Sequence, residues 1–164
     1  QKMLDDNLDV MLALSLHAPN QELRQELIPT ISKVYTLDLL MQKIDEFTEK
    51  TGKRIFYEYI MIKDKTDKPE LAKQLITLMK PRQANWHLNL IPYNENPAID
   101  LEESSRNKIM EFKRILEAGG ITVTVRDTLG RGVKWACGQL GYEKVYQHRD
   151  DIKQSGKNLR VLGK

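Results

Sequence analysis

The feature that most restricts the fold of this chain is a repeated order: a short apolar run, then a longer stretch with apolar residues at helical spacing. Residues 10–16 read Val-Met-Leu-Ala-Leu-Ser-Leu, followed by His17 and stopped by Pro19. A continuous apolar run of this kind is expected of a strand buried on both faces. Thr36 is placed to cap a helix on which Leu37, Leu40, Ile44 and Phe47 recur until Thr51-Gly52. Residues 54–62 predict a second strand, and Asp67-Lys68-Pro69-Glu70 opens a helix with Leu71, Leu75, Leu78 and Met79 inward. Residues 86–91 predict a third strand closed by Pro92. A longer helix is expected from about Leu101 to Ala118, with Ile109, Phe112, Ile115 and Leu116 inward and Gly119-Gly120 as its stop. Residues 121–125 predict the fourth strand.

Strand–helix–strand repetition with right-handed crossovers gives an α/β fold with a parallel sheet or part of a barrel. Three or four parallel strands are fewer than such a barrel carries, so the chain reads as the back half of something larger. An open strand edge near residues 10–16 is then expected to self-associate or to be covered by the N-terminal segment.

Cys137 is the sole cysteine. It cannot by itself form a disulfide framework, a thiolate metal site or an iron–sulfur cluster, so no metal ligands are assigned here. It is either a small buried hydrophobe or a nucleophile. One unpaired cysteine fits a reducing, cytoplasmic compartment. No apolar run is long enough to cross a bilayer and no signal-peptide pattern opens the chain, so no membrane partner is expected. Residues 144–164 hold six basic residues against two acidic ones, a net of +4, which leaves the other residues at −1 of the chain's +3. Such a tail is either a solubilising terminus or a contact to a polyanion, of which nucleic acid is the usual one. The chain therefore divides into a body, 1–143, and a basic tail, 144–164.

In parallel α/β folds, ligands bind beyond the carboxyl ends of the strands. The first strand delivers Ser15 and His17 there, the second Glu58, Tyr59 and Met61, the third Asn89, Pro92 and Asn94. Arg126 follows the fourth, and Cys137 lies in the loop after it. Each has a bland counterpart: His17 a satisfied structural histidine, Asn94 a turn former, Glu58 an ion-pair partner of Arg126. No nucleophile-elbow glycine pattern surrounds Ser15, which argues against a Ser15–His17–Cys137 hydrolase. A glycine-rich phosphate loop and a dinucleotide fingerprint are both absent.

Read together, several segments resemble the C-terminal half of the RlmN/Cfr family of radical S-adenosylmethionine RNA methyltransferases. They are Leu14-Ser15-Leu16-His17-Ala18-Pro19-Asn20, Glu22-Leu23-Arg24, Ile28-Pro29, Glu58-Tyr59-Ile60-Met61, Asn89-Leu90-Ile91-Pro92-Tyr93-Asn94, Gly120-Ile121-Thr122-Val123-Thr124-Val125-Arg126 and Ala136-Cys137-Gly138-Gln139-Leu140. The resemblance implies a partial (β/α)6 TIM-like radical SAM barrel, here its last three strands with one appended strand. It implies that Ser15, Leu16 and His17, together with Asn94, hold S-adenosylmethionine, and that Cys137 is the methyl carrier. One S-adenosylmethionine would methylate the thiolate of Cys137. A second, cleaved by a 4Fe–4S cluster, would generate the radical that lets the methyl carbon add to an adenine ring. The implied partner is 23S ribosomal RNA, methylated at C2 of an adenine, with transfer RNA as a further substrate.

The chain departs from the family pattern in three ways. The cluster motif Cys-x-x-x-Cys-x-x-Cys is missing, as are the glycine-rich segment, the resolving cysteine and the catalytic glutamate expected upstream. The cluster would thus be bound by an upstream segment, and this chain alone is expected to be inactive without the N-terminal half of the same protein. The family's Gly-x-Asp-Ile-Asp-Ala-Ala-Cys is replaced by Gly130-Arg131-Gly132-Val133-Lys134-Trp135-Ala136-Cys137, which loses both acids. Residues 29–35 depart from the usual Pro-Ile-Asn pattern. Two alternatives stay open at this point: the branch that methylates C8 of adenine and confers antibiotic resistance, and a non-catalytic module binding RNA or a partner.

Overall fold

The computed structural model describes residues 10–82, 86–95 and 99–126. Cys137, the 131–135 loop, the basic tail and the expected boundary after residue 143 lie outside these residues. The described chain runs β1 (Leu12–Ser15), α1 (Gln21–Leu27), α2 (Pro29–Val34), α3 (Leu37–Thr51), β2 (Ile55–Met61), α4 (Pro69–Met79), β3 (Trp86–Pro92), α5 (Arg106–Ala118) and β4 (Val123–Val125). The strands form one sheet in the order β1-β2-β3-β4, with every neighbouring pair parallel.

Local chemistry explains the element ends. The Thr36 side chain accepts a hydrogen bond from the Leu39 amide, and Gly52 ends α3 in the left-handed region at φ 65°. Asn20 caps α1 by accepting from the Leu23 amide at 2.9 Å. Pro29 stands at the start of α2, where its missing N–H costs nothing. The last helix begins at Arg106, later than the expected Leu101, because the preceding residues pair with the end of β2. Lys63 donates to the Glu102 carbonyl at 3.0 Å and Ser104 to the Met61 carbonyl at 3.3 Å. Ser105 then caps the helix.

The core lies on one face of the sheet. Tyr57, Tyr59, Met61, Leu88 and Leu90 are buried there with Met41 and Phe47 of α3, Leu75 and Met79 of α4, and Phe112 and Leu116 of α5. Tyr59 stacks on Phe112 at 5.4 Å, and its hydroxyl donates to the Thr66 carbonyl at 2.9 Å. The fully buried Thr66 hydroxyl accepts from the Ile62 amide at 2.6 Å and donates to the Ile60 carbonyl at 2.7 Å, tying the chain after β2 back to that strand.

The other face is different. Ala13 and Ser15 of β1, Phe56, Glu58 and Ile60 of β2, His87, Asn89 and Ile91 of β3, and Thr124 of β4 share it, and none of them is buried. This corrects the expectation that residues 10–16 are buried on both faces. The strand alternates: Leu12 and Leu14 pack against the core, whereas Ala13 and Ser15 are exposed. The run looked continuous because alanine and methionine are apolar without requiring a covered site.

Candidate functional site

Strand register brings a polar row across the open face. Ser15 pairs with Glu58, Glu58 with Asn89, and Asn89 with Thr124. In a parallel sheet, residues at the same level point to the same side, so the row is a direct product of register. Asn89 Nδ2 donates to Glu58 Oε1 at 3.0 Å, and Thr124 Oγ1 donates to Asn89 Oδ1 at 2.7 Å. His87 Nε2 lies 3.0 Å from Thr124 Oγ1. Because the single hydroxyl hydrogen of Thr124 is used on Asn89, Thr124 accepts from His87, which places a proton on His87 Nε2.

The carboxyl end of β1 turns sharply beside this row. The amides of Leu16 and His17 both donate to the Glu58 backbone carbonyl, at 3.0 and 3.1 Å, and Ala18 donates to the Leu16 carbonyl at 2.8 Å. His17 adopts φ 56°, a left-handed conformation that non-glycine residues seldom occupy and that clusters at functional sites. Its Nδ1 is buried with no hydrogen-bond partner among the described residues. Burial lowers the His17 pKa, with Glu58 pulling the other way and Arg24 reinforcing the fall, so the ring is held neutral near pH 7. Arg24 itself is buried behind this turn, where Nη1 reaches Ser32 Oγ at 3.2 Å and the Tyr35 carbonyl at 3.4 Å.

Glu58 is the pivot. Only 15% of its side chain is exposed, and Arg126 Nη1 approaches Oε2 no closer than 4.0 Å. The expected pairing with Arg126 is therefore present at long range, outside hydrogen-bond distance. Oε2 is buried and has no hydrogen-bond partner among the described residues.

The residues singled out in the sequence fall into separate groups. Ser15 and His17 come together at the end of β1, whereas the Leu16 side chain is buried in the core and only its backbone borders the site. Asn94 is exposed, just past β3 at the same end of the sheet, in a segment where Tyr93 donates to the Met61 carbonyl at 3.2 Å. β2 separates it from β1. Tyr59 and Met61, expected at the site, instead point into the helix-covered core, because their parity is opposite to that of Glu58. Thr124 and His87 were not singled out. Counting in twos from Glu58 and matching positions across strands is the signal that finds them.

No protein-family model matches the chain. A probable dual-specificity RNA methyltransferase RlmN from Caldanaerobacter subterraneus is 47% identical over 136 residues, 83% of this chain and 39% of that protein. The corresponding Dictyoglomus thermophilum protein, described in the same words, is 43% identical over 136 residues, 83% of this chain and 38% of its own length. A radical SAM methyltransferase structure from Sphaerobacter thermophilus superposes with TM-score 0.78 at 36% identity, covering 84% of this chain and 40% of that one. This chain matches RlmN-family proteins. It corresponds to a C-terminal portion, and it spans about two fifths of the length of the relatives it matches.

The four parallel strands are thus part of a TIM-like radical SAM barrel, as expected from the sequence. A domain of a pyruvate-formate lyase-activating enzyme from Bacteroides vulgatus shares the fold at TM-score 0.59 and 14% identity. Among the described residues no helix covers the face that bears Glu58, and Glu58 Oε2 and His17 Nδ1 are buried there and at the β1 turn without a hydrogen-bond partner. The carboxylate oxygen suits a ligand hydrogen-bond donor, and the imidazole nitrogen suits a donor or an acceptor according to its tautomer. Among the described residues, no three His, Cys, Asp or Glu side chains are grouped to hold a metal ion, and no helix is long and apolar enough to cross a membrane.

Proposed function

We propose that this chain supplies the S-adenosylmethionine-binding wall and the methyl-carrying segment of a radical SAM RNA methyltransferase. Its substrate is an adenine of 23S ribosomal RNA, methylated at C2, with transfer RNA as a further substrate. The observation that carries this reading is the Ser15–His17 turn at the carboxyl end of β1, set beside Glu58 on the helix-free face. The names of the relatives support the reaction class.

When bound, S-adenosylmethionine supplies an electrophilic methyl group and, on reduction by a 4Fe–4S cluster held by residues outside this chain, a carbon radical. Every other role falls to residues of the chain. The Ser15 hydroxyl, exposed at the strand end, and the neutral His17 ring hold the polar ends of the ligand. The left-handed turn at His17 sets the direction of its ring, and the Glu58 carbonyl fixes the turn. Asn94 closes the same end of the sheet from β3. Cys137 would take that methyl group at Sγ, its contribution being a thiol that gives up its proton to become the nucleophile. The basic segment 144–164 contacts RNA phosphates, and the protein works in the cytoplasm.

The test is nucleoside analysis by mass spectrometry of 23S ribosomal RNA from cells with and without the full-length gene. Loss of 2-methyladenosine on deletion, restored by the gene but not by a Cys137→Ala version, is the expected result. Unchanged 2-methyladenosine, or loss of 8-methyladenosine instead, overturns the assignment.

A further inference from the structure

We propose that Glu58 is a ligand-binding carboxylate whose Oε2 accepts a hydrogen bond from a ribose hydroxyl or the ammonium group of S-adenosylmethionine, with Asn89, Thr124 and His87 as the residues that position it. This rests on the reading that the open sheet face binds that molecule.

Glu58 carries an acceptor that no described residue fills. Glu58 Oε1 is occupied by Asn89, whereas Oε2 is buried with no hydrogen-bond partner among the described residues. A buried carboxylate oxygen left empty is costly, and such atoms are ordinarily paired. Arg126, at 4.0 Å and 67% exposed, is too distant to satisfy it. A ligand donor on the open sheet face completes the set.

Directionality strengthens the case. The Thr124 hydroxyl occupies Asn89 Oδ1, which turns the Asn89 amide nitrogen toward Glu58. His87 in turn donates to Thr124. Every donor in this chain points toward Glu58, so the unfilled group at its end is an acceptor. It calls for a neutral or cationic donor and repels phosphate, which favours a sulfonium nucleoside over the RNA backbone. Position agrees as well. The backbone carbonyl of the same residue holds the Leu16 and His17 amides, and Ser15 is its register partner. One residue therefore joins the strand-end turn to the carboxylate.

The experiment is anaerobic equilibrium dialysis of the full-length protein with S-adenosylmethionine and, separately, with 5′-methylthioadenosine, which lacks the amino-acid portion. Glu58→Gln keeps a carbonyl for Asn89 and replaces the acceptor with a donor. It is expected to melt with the unsubstituted protein and to bind S-adenosylmethionine roughly tenfold to a hundredfold more weakly. Arg126→Ala is expected to bind normally. Equal weakening toward 5′-methylthioadenosine assigns the ribose, and weakening toward S-adenosylmethionine alone assigns the ammonium group. Where Glu58→Gln fails to fold, Glu58→Asp, which keeps the charge but retracts it, replaces it and is expected to weaken binding too. Normal binding by the folded Glu58 variant, with Ser15→Ala still impaired, overturns this proposal and leaves the underlying reading intact. An Arg126→Ala variant as weak as Glu58→Gln overturns it also, since the carboxylate then acts through Arg126. No binding by the unsubstituted protein overturns the underlying reading itself.

Discussion

Replacing Asn89 separates the chemistry of the polar row from its shape. Asn89 donates to Glu58 Oε1 at 3.0 Å and accepts from Thr124 Oγ1 at 2.7 Å. Asn89→Ala removes both bonds, but water on the open face takes part of their place, so the expected loss is about 1–2 kcal/mol. Asn89→Asp is nearly isosteric and keeps the Thr124 bond, yet it sets a second carboxylate against Glu58. Two charges at that separation repel by about 5 kcal/mol at an effective dielectric near 20, and solvent on this face reduces that to about 2 kcal/mol. With the donor bond also lost, Asn89→Asp should cost about 3 kcal/mol at pH 7, more than the alanine variant. The pH dependence has a definite sign. The crowded pair binds a proton more tightly when folded than when unfolded, so the penalty is full at neutral pH and relaxes as pH falls into the carboxylate range. Melting temperatures of both variants in the full-length protein at pH 7 and pH 5 provide the assay. Equal melting of the two variants at both values would show that the row is not electrostatically coupled.

Two further outcomes follow from the core. Thr66→Val keeps the shape of a fully buried side chain but orphans the Ile62 amide, and should destabilise the protein by about 1–3 kcal/mol in urea denaturation. Burial pushes the Tyr57 hydroxyl up to about 12, against a smaller downward pull from Arg82, and burial pushes Tyr59 up more strongly. A raised phenol pKa adds stability that is complete below pH 10 and is lost toward pH 12. In an alkaline absorbance titration, these two tyrosines should therefore ionise only together with unfolding.

The layered order of the fold was legible because the apolar spacing of α3, α4 and α5 agrees with their caps and stops. Thr36, Gly52 and Pro69 stand where they were expected to. The start of α5 was not legible. Residues 101–104 have no sequence mark that distinguishes a first helical turn from a segment captured by the end of β2, and the capture is a long-range event. The face of β1 was misread for a related reason: Ala13 and Met11 satisfy an apolar pattern without being covered. At the site, Ser15 and His17 were visible as polar residues ending an apolar run. The partnership of Glu58, Asn89, Thr124 and His87 depends on register between strands more than thirty residues apart, which residue type alone does not encode. The left-handed turn at His17 likewise has no glycine or asparagine to announce it.

Whether Cys137 carries the methyl group is read most directly by weighing the peptide containing it from full-length protein produced with iron–sulfur assembly factors. A methyl group on Cys137 is expected, lost in Ser15→Ala protein where the donor is held poorly. An unmodified thiol in protein with an intact cluster and bound S-adenosylmethionine would contradict it.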